Sequence, residues 1–272
     1  MAIRLGIDIG GSTTKIVAVE NQTILATLQV KATDQVTSLY GAIGRLLYEN
    51  QWTLEQVEHI VLTGVGASWV TGDVYGIPTS RVEEFQAIGL GGLMLCNLEE
   101  AMVVSMGTGT AFVQASKEKM QHIGGSGVGG GTLLGLAEAL FHENKIEAIV
   151  AWAEQGNLQN VDLTIGDIST TEIPSLPADT TAANFGNVSP TATKEDLALG
   201  LMNTVYQTIG MMAVFACKNT DIKDIIVTGS LAALPQAKKI LDGVGKLHNL
   251  RFYIPENAIF ATAIGAAQSI SK

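Results

Sequence analysis

The sequence is poor in cysteine and in charged residues, and each shortage excludes a class of protein. Only two cysteines, Cys96 and Cys217, occur among 272 residues, both in apolar surroundings and without the spacing of a metal site. They predict buried thiols of a reducing compartment rather than a disulfide framework or a zinc site. The chain has 26 acidic but only 16 basic residues. A net charge of −10 argues against a nucleic-acid partner, which would need clustered lysine and arginine.

The N-terminus also lacks the marks of a secretory signal. It enters an apolar strand pattern with a single basic residue, Arg4, and shows no cleavage site. No apolar run of membrane-spanning length stands out along the chain. We therefore expect a cytoplasmic protein with no membrane partner.

Glycine, in contrast, is plentiful, and its 30 residues cluster rather than scatter. Clustered glycine indicates tight turns where backbone approaches a ligand. Strand and helix patterns alternate along the chain, which predicts an α/β fold. The expected strands cover residues 3–9, 15–20, 24–31, 59–63, 101–105, 111–116, 224–227 and 251–254. The expected helices cover residues 34–48, 84–95, 132–141, 146–155, 194–218, 234–244 and 258–269, and residues 161–181 are expected to form loops with at most a short strand.

The first glycine turn runs from Asp8 to Lys15, with the sequence Asp-Ile-Gly-Gly-Ser-Thr-Thr-Lys. Two adjacent glycines and three hydroxyls present several N–H and O–H donors to one point, which suits a triphosphate tail. Asp8 at the strand end could hold Mg²⁺ directly or through water, and Lys15 could reach a phosphate as a point charge. Taken alone, the same residues also fit an ordinary hairpin.

A second polar turn, Gly107–Thr110, repeats this arrangement between two apolar strand patterns. The stretch that begins at Ser105 aligns with the one that begins at Asp8, which indicates an internal duplication. Two such hairpins facing each other across a cleft can clamp a phosphate chain. We therefore predict two α/β domains, residues 1–96 and 97–272, with the nucleotide between them. The last helix is a candidate to pack back on the first domain.

Two further glycine elements follow. Three glycines, Gly129–Gly131, stand directly before a helix, where free N–H groups and the helix dipole would favour an anion. Thr228, Gly229 and Ser230 follow an apolar strand, a junction where a nucleotide ring can lie against backbone. A flexible linker and a simple strand-to-helix turn are the respective alternatives.

The order of these elements resembles that of the acetate/sugar kinase, Hsp70 and actin superfamily, whose fold is a pair of actin-like (ribonuclease H-like) domains around a nucleotide cleft. Within it, the chain most resembles the type II pantothenate kinases. The matching segments are Val82–Phe85, Gly124–Gly131 and Asp179–Gly186. The resemblance runs from Gly6 to Ala267.

The resemblance implies phosphorylation of pantothenate at its primary hydroxyl, the first step of coenzyme A synthesis, with ATP and Mg²⁺. It implies that Glu84 is the general base, and Glu83 is the alternative. His122 and Asp179 are the implied substrate-binding residues, and Asp8 is the implied metal ligand. The implied nucleotide-binding residues are Asp8, Gly10, Gly11, Ser12, Thr13, Lys15, Thr108, Gly130, Gly131, Thr132, Leu133, Leu134 and Ser230.

Two positions depart from the family pattern. His122 stands where the family usually has a substrate-contacting arginine, a permanent cation with a planar fork that histidine does not reproduce. Ala111 stands where a hydroxyl residue often follows the second hairpin. These departures put the acceptor in doubt.

Three functions remain open. The first is a pantothenate kinase, the second a kinase of the same fold for pantetheine, pantoate or another small hydroxylated acid, and the third a nucleotide-binding regulatory protein without turnover. Repressor-related sugar kinases would need a cysteine-rich zinc motif, and the ATPases that activate radical dehydratases would need a cluster-binding cysteine. The apolar helix over residues 194–218 predicts core packing or a homodimer.

Overall fold

The computed structural model describes residues 2–32, 34–171, 173–174 and 176–269, which fold into two five-stranded sheets with helices around them. The strands are β1 (Ile3–Ile9), β2 (Thr13–Glu20), β3 (Thr23–Lys31), β4 (Val57–Thr63), β5 (Thr79–Arg81), β6 (Glu100–Met106), β7 (Thr110–Ser116), β8 (Met120–Ser126), β9 (Leu163–Thr164), β10 (Thr181–Ala183), β11 (Asp224–Thr228) and β12 (Arg251–Tyr253). The helices are α1 (Gln35–Asn50), α2 (Glu84–Cys96), α3 (Gly130–Phe141), α4 (Ile146–Ala153), α5 (Ile165–Ile168), α6 (Lys194–Cys217), α7 (Pro235–His248) and α8 (Ala261–Gln268).

The two sheets have the same topology. The first has the order β3-β2-β1-β4-β5 and the second β8-β7-β6-β11-β12. In each, three antiparallel strands form a meander, and two further strands continue the sheet in parallel. This repeat confirms the fold class expected from the sequence, a pair of actin-like α/β domains.

Each sheet has two buried faces. Every second side chain of β1, namely Leu5, Ile7 and Ile9, packs into a core that also contains Ile43 of α1. The other residues of β1, which include Asp8, point to the opposite face. Asp8 is the last of them and lies at the edge of the sheet where the glycine hairpin begins. The topology of the second sheet places the start of its own glycine hairpin at the corresponding edge.

Helices α2 and α8 cross between the two sheets. Helix α2 follows the first sheet but packs its Ile88 and Leu93 on the second, whereas α8 follows the second sheet but packs on β1 and β2. They cross where Gly91 and Gly265 bring the two backbones together, and a Cβ on either glycine would overlap a carbonyl oxygen of the other helix. Only glycine allows this approach.

Helix α6 forms the centre of the second core. Its Leu201, Met202 and Tyr206 are buried there, and the Tyr206 hydroxyl donates to the carbonyl of Leu231 at 2.7 Å. By length and composition alone, the helix could cross a membrane, contrary to the expectation that no apolar run reaches that length. More than half of its most apolar stretch (56%) is buried inside the chain, as expected for a core helix.

Strand β8, in the glycine-rich segment after β7, was not among the strands expected from the sequence. Gly124 and Gly125 belong to β8 and pair with Phe112 and Ala111 of β7 through backbone hydrogen bonds. A strand can pair through its backbone without alternating apolar and polar side chains. The glycines of β8 therefore left no strand pattern in the sequence. The region expected to be loops, residues 161–181, contains β9 and α5 and ends where β10 begins, and β9 and β10 form a two-stranded sheet.

Candidate active site

Asp8, at the end of β1, is the centre of the first-domain part of the site. The residue is 8% exposed, and it is paired through its backbone with Lys15 across the hairpin and with Thr63 on β4. Burial raises the pKa of Asp8, and the positive charge of Lys15 lowers it in part. Lys15 is itself 7% exposed, so the two opposite charges share a nearly dry position.

Glu84 is the first residue of α2 and belongs to the same charge cluster. Burial raises the pKa of its carboxyl group, the nearby charge of Asp8 raises it further, and Lys15 lowers it. Glu83 is exposed and lines a shallow surface depression with Lys117 and Lys119. The structure thus brings Asp8, Lys15 and Glu84 together, which supports Glu84 over Glu83 as the proton acceptor.

Thr63 and Gly64 complete the surroundings of Asp8, although the sequence analysis gave them no role. Gly64 has φ +85°, and a Cβ there would lie 2.6 Å from Oδ1 of Asp8, so only glycine leaves the carboxylate its room. The Thr63 hydroxyl is buried and has no hydrogen-bond partner within the described chain. The same Thr-Gly pair recurs at Thr228–Gly229, and this repetition was the sequence signal for a role.

The first hairpin keeps donors available for an anion. The N–H of Gly10 donates to the carbonyl of Thr13 at 3.0 Å, closing the turn. Gly11 and Ser12 are exposed at its tip, and in the described part of the chain their N–H groups have no protein acceptor. These N–H groups and the Ser12 hydroxyl are free to hold phosphate oxygens.

The second hairpin is docked directly on the start of α3. The N–H groups of Gly130 and Gly131 donate to the carbonyls of Gly107 and Thr108, both at 2.9 Å. The expectation that these helix N-terminal N–H groups are free is therefore wrong. A Cβ at Gly129 would lie 2.6 Å from the Thr108 carbonyl oxygen, so glycine is needed here for close packing of two backbones rather than for an open anion site.

The three other residues of α3 that were predicted to bind nucleotide are buried, half-buried or already hydrogen-bonded within the chain. Leu133 is fully buried in the core of the second domain, and its N–H donates to Gly129 at 3.0 Å. The Thr132 hydroxyl donates to the carbonyl of Gly127 at 2.7 Å and so is already engaged. Leu134 is half-buried against the same core. The exposed donor on this side is Thr108, at the hairpin tip.

The junction at Ser230 lies beside the same hairpin. Gly229 has φ +89°, and a Cβ there would lie 2.5 Å from the Met106 carbonyl oxygen at the end of β6. A Cβ on Gly130 would lie 3.8 Å from the side chain of Leu231. The second hairpin, the α3 start and the half-exposed Ser230 thus form one group, separate in sequence but adjacent in space.

His122 lies next to the charge cluster through Phe85. The two rings are stacked, with centroids 3.8 Å apart and planes 4° from parallel. Phe85 follows Glu84 in the first turn of α2, so the structure brings His122 to the start of the helix that carries Glu84.

Asp179 lies elsewhere. It occupies an exposed turn closed by a hydrogen bond from the Thr180 N–H to the Pro177 carbonyl at 3.0 Å. Its neighbour Ala178 lines a peripheral cavity of about 1030 Å³ together with Lys246 at the end of α7. The assignment of Asp179 to the acceptor therefore stays a prediction, with surroundings that differ from those of Glu84.

The rest of the Asp179–Gly186 segment is held by a buried carboxylate. Asp162 accepts from the Phe185 N–H at 2.9 Å and from the Asn203 amide of α6 at 2.7 Å. Phe185 adopts φ +55° and packs on Gly200, which shows how tightly this segment is held to α6.

The groups around Asp8 suit a magnesium nucleotide. Mg²⁺ takes hard oxygen ligands and commonly keeps several waters, binding through one or two carboxylates plus substrate phosphates. Asp8 and the unpartnered Thr63 hydroxyl supply such oxygens beside a hairpin with free N–H groups. No group of three or more metal-ligating side chains occurs among the described residues, so phosphate oxygens would have to complete the coordination.

Solved structures support the actin-like fold that the two repeated sheets indicate. The activator of 2-hydroxyisocaproyl-CoA dehydratase from Clostridium difficile with bound ADPNP matches with a TM-score of 0.70 and 14% identity, over 98% of this chain and 93% of that one. A ROK family glucokinase from Streptomyces griseus, in complex with glucose and AMPPNP, matches with a TM-score of 0.64 and 12% identity, over 98% of both chains. The chain thus has the two-domain, actin-like fold.

The family follows from sequence. The family model described as Fumble matches residues 99–241, more than half of the chain. The chain belongs to the Fumble family. Among curated proteins, the type II pantothenate kinase of Staphylococcus aureus (strain USA300) is 28% identical over 97% of this chain and 98% of its own length. That of the bovine strain RF122 / ET3-1 matches equally over the same shares.

Proposed function

We propose that the protein transfers the γ-phosphoryl group of ATP to the primary hydroxyl of pantothenate, the first step of coenzyme A synthesis. The observation that carries the proposal is the cluster of Asp8, Lys15 and Glu84 beside a phosphate-type hairpin. The end-to-end similarity to the staphylococcal type II pantothenate kinases supports pantothenate as the acceptor.

Glu84 has the properties of a general base. Its raised pKa makes it a stronger proton acceptor than an ordinary glutamate. Its carboxylate accepts the hydroxyl proton as the acceptor oxygen bonds to the γ-phosphorus and the bond to the bridging oxygen of ADP breaks. Lys15 offsets the negative charge gathered around the transferring group.

Each hairpin holds one side of the phosphate chain in this proposal. Gly11 and Ser12 donate from the first domain, and Thr108 donates from the second. Ser230, beside the second hairpin, contacts the nucleoside. Asp8 would hold Mg²⁺, directly or through water, and the metal would neutralise phosphate charge.

The test is an ADP-release assay coupled to a spectrophotometric readout, with ATP, Mg²⁺ and pantothenate. The proposal expects acceptor-dependent release well above the ATPase background, and loss of release when Mg²⁺ is chelated. Release that does not depend on pantothenate contradicts the acceptor. Nucleotide binding by calorimetry without transfer to any hydroxyl acceptor would instead favour the regulatory protein.

We further propose a cytoplasmic homodimer. The inner face of α6 is covered by its own domain, so the contact would use its outer face, where Phe215 is 64% exposed. Sedimentation equilibrium tests this: the native chain should sediment at twice the monomer mass, and Phe215→Asp should weaken association. A monomer at all concentrations contradicts it.

A further inference from the structure

The side-chain amide of Gln236, in the first turn of α7, has a partner at one end only. The residue is 8% exposed, and its Nε2 donates to the carbonyl of Val150 on α4 at 3.3 Å. Because only the nitrogen of an amide can donate to a carbonyl, this bond fixes which end is which. The oxygen, Oε1, is buried and has no hydrogen-bond partner among the described residues. A buried acceptor without a partner is costly, so a ligand that donates to it gains affinity.

Gln236 follows closely on the junction that is proposed to contact the nucleoside. A short 3₁₀ turn covers Ser230–Ala233, and Leu234 and Pro235 lead from it directly into α7. The N–H of Leu234 donates back to the carbonyl of Leu231 at 3.2 Å, which holds this turn against the start of the helix. One turn of backbone therefore separates the nucleoside contact from the buried amide.

The surface between the two suits the face of a base. Ala233 and Pro235 are exposed and Leu234 is half-buried, and none of these side chains carries a charge. The start of α3, on which the second hairpin is docked, borders the same turn, because a Cβ on Gly130 would lie 3.8 Å from the Leu231 side chain. A nucleotide with its phosphates at the hairpin and its ribose at the junction therefore has its base beside the start of α7. Oε1 is covered in the nucleotide-free chain, so recognition requires the Gln236 side chain to move toward this turn.

We infer that Gln236 determines base specificity: its Oε1 accepts a hydrogen bond from the 6-amino group of adenine, and purines with a 6-oxo group are rejected. This rests on the proposed function, since it requires the nucleoside to lie at Ser230. An oxo group is itself an acceptor, so it would face Oε1 with no hydrogen between them. The nitrogen end of the amide is engaged by Val150 and cannot take over without losing that bond. A site built around such a hydrogen bond discriminates against ligands that lack the donor.

Calorimetric titration with ADP and with IDP, each with Mg²⁺ and without an acceptor, separates base recognition from phosphoryl transfer. The two bases differ at ring position 6, which is amino in ADP and oxo in IDP. We expect the native protein to bind ADP at least about tenfold more tightly, since losing one hydrogen bond and leaving its acceptor unpaired is worth on the order of a factor of ten. In Gln236→Leu, the two dissociation constants should agree within about threefold, chiefly because ADP binds more weakly.

Gln155→Leu is the matched control. Gln155 is exposed just after α4, and its Nε2 donates to the carbonyl of Ala151 at 3.3 Å, the same kind of bond that Gln236 makes. The same change there should leave the native ratio of the two dissociation constants. Gln236→Met keeps the length of the side chain without the acceptor oxygen and repeats the test with an unbranched residue. Melting temperatures verify that each variant is folded.

The ratio distinguishes recognition from a structural role, because a packing defect would weaken ADP and IDP alike. A native preference for ADP below about tenfold overturns the inference, as does a native ratio in folded Gln236→Leu and Gln236→Met. Both results leave the kinase proposal intact, since transfer to pantothenate is measured separately. If the folded protein binds no adenine nucleotide, the proposed function fails and the inference fails with it.

Discussion

Asp8, Lys15 and Glu84 carry most of the proposed chemistry. Asp8 and Lys15 flank one hairpin, and Glu84 begins a helix that lies about seventy residues further along the chain. Two opposite charges at 8% and 7% exposure are costly to bury, so their retention at one sheet edge indicates a functional demand. The sequence pattern predicted that Asp8 and Lys15 belong to the site. The prediction for Glu84 depended on the family resemblance, because nothing in local spacing shows that the start of α2 lies near the end of β1.

Replacing Glu84 by Gln should lower kcat by about 10²–10⁴, because the amide cannot accept the hydroxyl proton. Nucleotide affinity, measured by calorimetry, should change little. Glu83→Gln is the matched control, since Glu83 is adjacent but exposed, and its kcat should stay within about twofold of native. A large loss in Glu83→Gln with a native-like Glu84→Gln would reverse the assignment.

The same Glu84→Gln change should make the nucleotide-free protein more stable near neutral pH. The pKa of Glu84 is raised from 4.5 in the folded state, so the folded protein binds the proton more tightly than the unfolded chain. The ionised carboxylate therefore destabilises the fold above the raised folded pKa, and this cost disappears below the ordinary value. Melting temperatures of both proteins across pH test this, and a variant less stable at neutral pH contradicts it.

At the scale of elements, the main role of glycine is to allow close packing between two backbone segments. The glycine run at 129–131 was predicted to offer free N–H groups, yet those of Gly130 and Gly131 are occupied by the second hairpin, and that of Gly129 donates to the Thr132 hydroxyl. The contact with the hairpin joins residues about twenty apart, and sequence periodicity carries no information about it. Likewise, β8 was hidden because glycine removes the alternation that marks a strand. Thr63–Gly64, in contrast, could have been found from its likeness to Thr228–Gly229.

We expect the crossing of α2 and α8 to be the part of the structure that is least tolerant of an added methyl group. Gly91→Ala or Gly265→Ala places a Cβ against a backbone carbonyl of the opposing helix, and we expect a loss of about 1–3 kcal/mol or more in the free energy of unfolding. Gly41→Ala in α1 is the control, because a Cβ there meets nothing within 4 Å.

The control should be neutral or stabilising by up to about 1 kcal/mol, since alanine is the better helix former. Urea denaturation measures both free energies. Equal effects at the crossing and at Gly41 would show that the close approach of α2 and α8 is not a constraint on stability.

On the scale of the whole molecule, two copies of one sheet topology are joined by α2 and α8, and each copy supplies a hairpin at the same edge of its sheet. The duplication was visible in the sequence from two short turns. The exchange of α2 and α8 between the sheets was only partly foreseen, because the packing of α2 on the second sheet depends on tertiary contacts. We expect any relative movement of the two sheets to turn about this crossing.

Closure of the cleft should accompany binding of a non-hydrolysable ATP analogue with Mg²⁺, because both hairpins must reach the same phosphates. Small-angle X-ray scattering should show a smaller radius of gyration with the analogue than without it. Pantothenate alone, which contacts no hairpin in this account, serves as the control and should leave the radius unchanged. Saturation with the analogue, verified by calorimetry, without any compaction would contradict closure.

Phosphorus-31 NMR of a reaction with purified protein, ATP, Mg²⁺ and pantothenate shows whether phosphate passes from ATP to the hydroxyl of pantothenate. We expect a new phosphomonoester signal that grows in equal amount with ADP and that grows at least about a hundredfold more slowly in Glu84→Gln. Formation of inorganic phosphate alone, or no reaction while ATP is bound, would contradict it.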